Sequence, residues 1–118
     1  KRDFIFVEDV VDVLFYALEK PIRRGIYNLG TGKARTFLDL VRPVFSTLQK
    51  PENIEFIDTP LAIRDRYQYF TEAKMDRLCV QGYMKSFTSL EGGVSKYVRE
   101  LLKEESFSSS DQKTASQK

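Results

Sequence analysis

An α/β fold is predicted by two kinds of hydrophobic pattern that alternate along the 118 residues of this chain. Three segments carry apolar residues at intervals of three and four, which is the spacing of an amphipathic helix. Two shorter segments are apolar throughout or alternate between apolar and polar residues, which is typical of strands. Hydrophobic residues make up 42% of the sequence, with nine Phe and six Tyr, so we expect one modest core.

The first part of the chain predicts an extended segment, a helix and then a strand. Helix spacing follows a loosely alternating start and ends at Pro21, and its apolar positions are Val10, Val13, Leu14, Ala17 and Leu18. Residues 25–29 form a short apolar run bracketed by glycines, which predicts a buried strand. The loop Gly30-Thr31-Gly32 then predicts a tight turn at the end of that strand.

A second helix and a second strand are predicted in the middle of the chain. Thr36 is placed to cap the helix, and Asp39 lies in its first turn. Pro43 removes a hydrogen bond within this helix, so we expect either a kink or a late helix start. Residues 54–57 alternate as a strand, and residues 64–70 follow as a loop.

The last part of the chain predicts two helices and a tail. Thr71 is a candidate N-cap for a short helix that runs through Leu78. Residues 88–91 read Thr-Ser-Leu-Glu, which fits a capping box at the start of the last helix. We expect residues 1–105 to form the folded unit and the Ser-, Gln- and Lys-rich residues 106–118 to form a disordered tail.

Composition excludes several classes of function. The net charge of +2 is too small a field to make nucleic acid or a membrane surface the main partner. With no His and one Cys, the chain can form neither a Cys/His zinc site nor an internal disulfide, so a reducing, cytoplasmic setting is expected. No apolar run approaches the ~20 residues of a membrane span.

Residues 64–73 contain two arginines and two tyrosines, a combination that can hold an anionic, sugar-like ligand. Arg2, in the opening segment, can grip a diphosphate with two parallel hydrogen bonds. On chemistry alone, however, a surface arginine paired with Asp3 or Glu8 is the commoner case. A core or edge tyrosine is likewise the commoner interpretation of Tyr67.

From about Lys1 to Leu102 the chain resembles the ADP-glycero-manno-heptose 6-epimerases. These are extended short-chain dehydrogenases/reductases within the NAD-dependent epimerase/dehydratase superfamily. The general motif is Arg2-Asp3-Phe4 followed by Val7, Asp9 and Val10, and more selective matches lie at residues 66–71, 82–83 and 87–94. The resemblance implies an α/β fold, as the C-terminal part of an extended Rossmann-type enzyme that includes its substrate-binding subdomain.

The resemblance also implies roles for individual residues. Arg2 and Tyr67 match substrate-contacting residues of the family, and Arg66 is expected to add positive charge beside them. The substrate implied is an ADP-heptose-like nucleotide sugar of lipopolysaccharide biosynthesis, epimerised at carbon six through transient oxidation by NADP. The family's cofactor site and catalytic residues lie upstream of the matched segment. We therefore expect no catalytic, cofactor-binding or metal-binding residue here, an inactive chain when isolated, and a homo-oligomer for the complete enzyme.

Three other motifs are given structural interpretations. Tyr16 and Lys20 reproduce the Tyr-x-x-x-Lys spacing of the superfamily. They follow the Arg2 segment, however, whereas the family's catalytic Tyr/Lys pair precedes it. Tyr16 is therefore expected to be a packing residue. The loop 30–32 lacks the remaining residues of a phosphate-binding or dinucleotide-binding loop. Cys79 is expected to be buried filler, and Tyr69 and Phe70 are expected to be core residues.

Two alternatives to the heptose epimerase remain open. The first is another nucleotide-sugar epimerase or dehydratase of the same superfamily, because the Arg2 motif is shared across it. The second is a binding or assembly module without catalytic activity. The nucleotide sugar bound by the complete protein distinguishes the first alternative, and the sequence upstream of Lys1 distinguishes the second.

Overall fold

The chain is helical in the computed structural model, which describes the backbone of residues 1–115 and the side chains of residues 1–106. Five helices follow one another: α1 (Val7–Glu19), α2 (Phe37–Leu48), α3 (Leu61–Arg64), α4 (Asp76–Val80) and α5 (Leu90–Ala115). Helix α2 packs against α5. No helix in the described part of the chain is long and apolar enough to cross a membrane.

Neither predicted strand is formed among the described residues. Residues 25–29 and 54–57 lie outside any strand, and the β pairing between Arg2 and Arg35 is a single antiparallel bridge. A strand exists only when a neighbouring strand supplies its hydrogen bonds. Both strand predictions are therefore wrong for this structure, because residues 1–115 place no partner strand beside either segment.

Helix α1 ends and helix α2 begins where their signals predict. Helix α1 ends at Glu19, just before Pro21. Helix α2 has the predicted cap, completed as a capping box: the Asp39 N–H donates to the Thr36 hydroxyl (3.1 Å) and the Thr36 N–H donates to the Asp39 carboxylate (3.0 Å). Because this cap fixes the start at Phe37, the helix does not begin late, and it continues through Pro43.

The predicted starts of the last two helices are displaced along the sequence from the observed ones. Helix α4 begins at Asp76 rather than after Thr71. Helix α5 is capped by Ser89, whose hydroxyl accepts from the Gly92 N–H (3.1 Å). Thr88 lies one residue before this cap, and its N–H (2.8 Å) and its hydroxyl (2.9 Å) both donate to the carboxylate of Asp9. The backbone of α5 continues as helix through Ala115. The disordered tail at 106–118 stays a prediction, and residues 116–118 lie outside the described residues.

The buried core is small and lies between α1, α4 and the segment after α4. It consists of Val13, Leu78 and Tyr83, against which five partly buried side chains pack: Tyr16, Tyr27, Leu29, Met75 and Phe87. The radius of gyration is 19.2 Å, whereas a compact domain of this length has about 13.5 Å. The chain is therefore extended around its core, and many large apolar side chains remain exposed.

Candidate functional site

Arg2 and Tyr67, far apart in the sequence, lie together in the structure. The guanidinium carbon of Arg2 is 5.3 Å from the centre of the Tyr67 ring, which is a cation–π contact. The ring of Tyr69 meets the ring of Tyr67 edge-on, with centroids 5.2 Å apart and an interplanar angle of 72°. One cation and two aromatic rings thus form a single cluster, which we call the Arg2–Tyr67 cluster.

Backbone hydrogen bonds place the Arg2 segment within this cluster. The N–H of Arg2 donates to the carbonyl of Arg35 (2.8 Å), and the Arg35 N–H donates back to the Arg2 carbonyl (2.7 Å). On the other side, the Thr71 N–H donates to the carbonyl of Lys1 (3.1 Å). The opening residues therefore lie between the start of α2 and the Tyr67 segment, and they are bonded to both.

The charge of Arg2 is not neutralised within the described residues. No carboxylate among residues 1–106 lies within ion-pairing distance of its guanidinium. Arg35, in contrast, pairs with Asp39 (3.3 Å) and with Glu91, and the hydrogen bond that its guanidinium donates to Glu91 is the main cause that raises the pKa of Arg35. Arg2 can therefore accept an external anion, while Arg35 joins α2 to α5.

Arg66 lies on the surface, one residue before Tyr67. Its backbone N–H donates to the carbonyl of Ile63 (3.0 Å), which continues the turn that follows α3. The residue itself is exposed. It can add positive charge near the Arg2–Tyr67 cluster, but no described contact fixes its guanidinium.

Asp3 is a residue of this site that the sequence interpretation did not single out. Its carboxylate accepts hydrogen bonds from the loop 30–32 and from Ala73, the residue two positions after Thr71. Burial acts to raise the pKa of Asp3, but the hydrogen bonds from Thr31, Ala73 and Gly32 outweigh it, so the pKa lies below its ordinary value. The position of Asp3 beside Arg2 was the only sequence signal.

The loop 30–32 does not form a phosphate-binding loop. The N–H groups of Thr31 (2.8 Å) and Gly32 (2.9 Å) both donate to the Asp3 carboxylate. A phosphate-binding loop needs such N–H groups free to point at the ligand. The sequence-based interpretation of this loop as a turn is therefore supported, with a positive φ of 76° at Gly32.

Several expectations about neighbouring residues are corrected. Tyr69 and Phe70 are not core residues, since 59% and 60% of their surfaces are exposed. Cys79 is exposed rather than buried, because the five-residue helix α4 turns only Leu78 toward the core. Tyr16 does pack as predicted: its hydroxyl donates to the Gln81 carbonyl (2.8 Å) and its ring meets Tyr83 edge-on.

An apolar cleft of about 470 Å³ lies elsewhere, between the opening segment, α2 and α5. Its walls include Phe4, Phe6, Leu40, Val94 and Tyr97. The cleft contains no charged side chain, and a nucleotide sugar carries two phosphates. The Arg2–Tyr67 cluster therefore has the more suitable chemistry for an anionic ligand.

Comparison with known proteins gives one consistent similarity. The chain is 50% identical over 101 residues to an ADP-L-glycero-D-manno-heptose-6-epimerase of Nitratidesulfovibrio vulgaris strain DP4, covering 86% of the chain and 31% of that protein. It is 45% identical over 113 residues to the protein of that name from Fusobacterium nucleatum, covering 90% of the chain and 34% of the relative. The protein of that name from the Hildenborough strain of N. vulgaris is 48% identical over 101 residues, with 86% and 31% covered.

These similarities confirm the resemblance that the motifs predicted. The chain spans about a third of the length of the curated relatives it matches. No protein-family model matches it.

Proposed function

We propose that this chain, which is similar to about a third of the length of proteins named ADP-L-glycero-D-manno-heptose-6-epimerase, is the substrate-binding part of such an enzyme. The complete enzyme is then an isomerase that acts at carbon six of the heptose. Its substrate is an ADP-heptose-like nucleotide sugar, and it works in the cytoplasm on precursors of lipopolysaccharide.

The observation that carries this proposal is the contact between Arg2 and Tyr67. A guanidinium without a carboxylate partner among the described residues lies 5.3 Å from the centre of a partly buried tyrosine ring. In the proposed role, Arg2 binds the ADP diphosphate through charge-assisted hydrogen bonds. Tyr67 packs its ring on the ligand and offers its hydroxyl to a sugar or phosphate oxygen, and Arg66 adds positive charge nearby.

The proposed fold of the complete enzyme is an extended Rossmann-type α/β fold. Residues 25–29 are largely apolar and lack a partner strand among residues 1–115, so we propose that they join a parallel sheet contributed largely by other residues of the enzyme. The loop 30–32 is not suited to bind the phosphates of NADP, because its N–H groups donate to Asp3. We propose that NADP is bound outside this chain and that the complete enzyme is a homo-oligomer.

The test is calorimetric binding of ADP-heptose to the complete protein that carries this segment. Arg2→Ala removes a charge-assisted contact worth ~1.5–3 kcal/mol, so the dissociation constant should rise about 10- to 150-fold. Arg24→Ala is the matched control, since it removes one exposed arginine elsewhere on the surface.

Equal affinities of the Arg2→Ala and Arg24→Ala variants would show that Arg2 is only a surface residue. Preference of the unaltered protein for a UDP- or GDP-sugar over the ADP-sugar would instead move the assignment to another epimerase or dehydratase of the superfamily.

A further inference from the structure

Four hydrogen bonds converge on the carboxylate of Asp3, directly beside Arg2. Its Oδ1 accepts from the Thr31 N–H (2.8 Å) and the Thr31 hydroxyl (2.6 Å), and its Oδ2 accepts from the N–H groups of Gly32 (2.9 Å) and Ala73 (3.0 Å). These donors come from two segments that are distant in sequence. One carboxylate thus joins the opening segment, the loop 30–32 and the chain that follows Tyr67.

Gly30 provides the space for this carboxylate. A Cβ atom at Gly30 would lie 2.5 Å from Oδ2 of Asp3 and 2.6 Å from the Cβ of Ala73. Both distances are well below van der Waals contact, so any side chain at this position must displace Asp3, the Ala73 segment or both. The Asp3 carboxylate can therefore occupy its position because residue 30 has no side chain.

The Tyr67 segment has few other attachments to the opening residues. The Thr71 N–H donates to the Lys1 carbonyl (3.1 Å), and the N-terminal amine of Lys1 donates to the Tyr69 carbonyl (2.5 Å). The segment is also bonded to the chain after the loop 30–32, where the Ala34 N–H donates to the Glu72 carboxylate (2.9 Å). Both Glu72 and the ring of Tyr67 are at least partly exposed to solvent. Lys1 and Asp3 both adjoin Arg2 in the sequence, but the bond from Ala73 to Asp3 is the one that belongs to a network which also includes the loop 30–32.

We propose that Asp3 is a positioning residue that holds Arg2 and Tyr67 at the separation at which they bind the ligand together. This inference rests on the proposed function. Asp3 does not touch the ligand: its lone pairs are directed to backbone and hydroxyl donors of the protein itself. Its effect on binding is transmitted through the orientation of its neighbour Arg2 and of the segment that ends at Ala73.

The experiment compares three variants of the complete protein, with ADP as the probe. Asp3→Asn keeps the size of the side chain but turns an NH₂ group toward N–H donors. Thr31→Val removes one donor and is the milder change. Asp9→Asn is the matched control, because Asp9 also accepts two hydrogen bonds, from Thr88, but holds α1 to α5.

We expect Asp3→Asn to weaken ADP binding at least about fivefold and to weaken it little further when Arg2→Ala is already present, because the two residues act as one unit. Thr31→Val should shift affinity in the same direction by a smaller factor. Asp9→Asn should lower the melting temperature without lowering ADP affinity. Additive effects of Asp3→Asn and Arg2→Ala, or equal affinity losses for the Asp3 and Asp9 variants, would overturn the proposal.

A measurement without ligand separates this proposal from the proposed function. The Arg2 side-chain N–H resonance should carry a ring-current shift from Tyr67 in the unaltered protein and in Asp9→Asn, and should lose it in Asp3→Asn or Thr31→Val. If the protein binds no ADP, the proposed function fails, and this shift still decides the role of Asp3. If Asp3→Asn does not fold, Thr31→Val decides, and an unchanged shift in a folded variant refutes the positioning role.

Discussion

Helix α1 carries an uncovered apolar stripe. Substitutions that remove this stripe should prevent self-association of the isolated chain. The stripe repeats at helical spacing on one face, and its members are 41–83% exposed: Val7, Val11, Leu14, Phe15 and Leu18. Their exposed parts amount to roughly 500 Å², as large as the largest apolar patch on a typical soluble monomer. A helix that is apolar on its outer face as well as its inner face normally lies between two layers.

The free energy gained by association can be worked out from this area. Burying the stripes of two copies against each other is worth roughly 25 kcal/mol at ~25 cal/mol per Å², which exceeds the ~4–15 kcal/mol cost of association. Leu14→Glu with Leu18→Lys removes roughly half of the stripe and leaves the net charge unchanged. Since only part of a buried area appears as affinity, we expect the dimer dissociation constant to rise at least about tenfold.

Sedimentation velocity over a range of concentrations measures this effect. The matched control is Leu61→Glu with Val80→Lys, which also exchanges two exposed apolar residues (80% and 81%) for an opposite-charge pair, but off the stripe. The unaltered chain and the control should associate, and the stripe variant should remain monomeric. A monodisperse monomer of the unaltered chain at high concentration would refute the reasoning and would favour an independent binding module.

Four shorter predictions concern the stability and binding of the chain. The folded-state pKa of Asp3 lies below its ordinary value of 3.8, so its charge stabilises the folded state above that pH. Asp3→Asn should therefore lower the free energy of unfolding, measured in urea at pH 7, and this loss should become smaller as the pH falls below about 4. Leu78→Ala, at a side chain that is 2% exposed, should cost ~2–5 kcal/mol in the same assay, whereas Leu61→Ala should cost less than ~0.5 kcal/mol. Removal of residues 106–118 should leave the melting temperature within about 3 °C, and a larger drop would show that the tail is ordered. The isolated chain should show no saturable NADP binding by calorimetry, and saturable binding would place a cofactor site within it.

Local signals were sufficient for those helix starts whose donors and acceptors are close in sequence. The cap at Thr36 was predicted and is formed, and it needs only Asp39, three residues later, to become a capping box. The predicted cap of α5 at Thr88 is wrong. Thr88 bonds to Asp9, a residue of α1 that no local sequence pattern indicates as its partner. The contact of Arg2 with Tyr67 is equally non-local, and chemistry alone favoured a surface arginine and a core tyrosine. Only the family resemblance indicated that the two residues act together.

The remaining disagreements between sequence and structure have one physical cause. Val13, Leu14 and Leu18 belong to one apolar pattern in the sequence, yet Val13 is buried and the two leucines are exposed. Residues 25–29 have the composition of a strand that is covered on both faces, yet no strand pairs with them among the described residues. In both cases the side chains are suited to contacts that residues 1–115 do not supply. A further layer of protein over α1 and a neighbouring strand beside residues 25–29 would satisfy both patterns, which is what the proposed position of this chain within a longer epimerase requires.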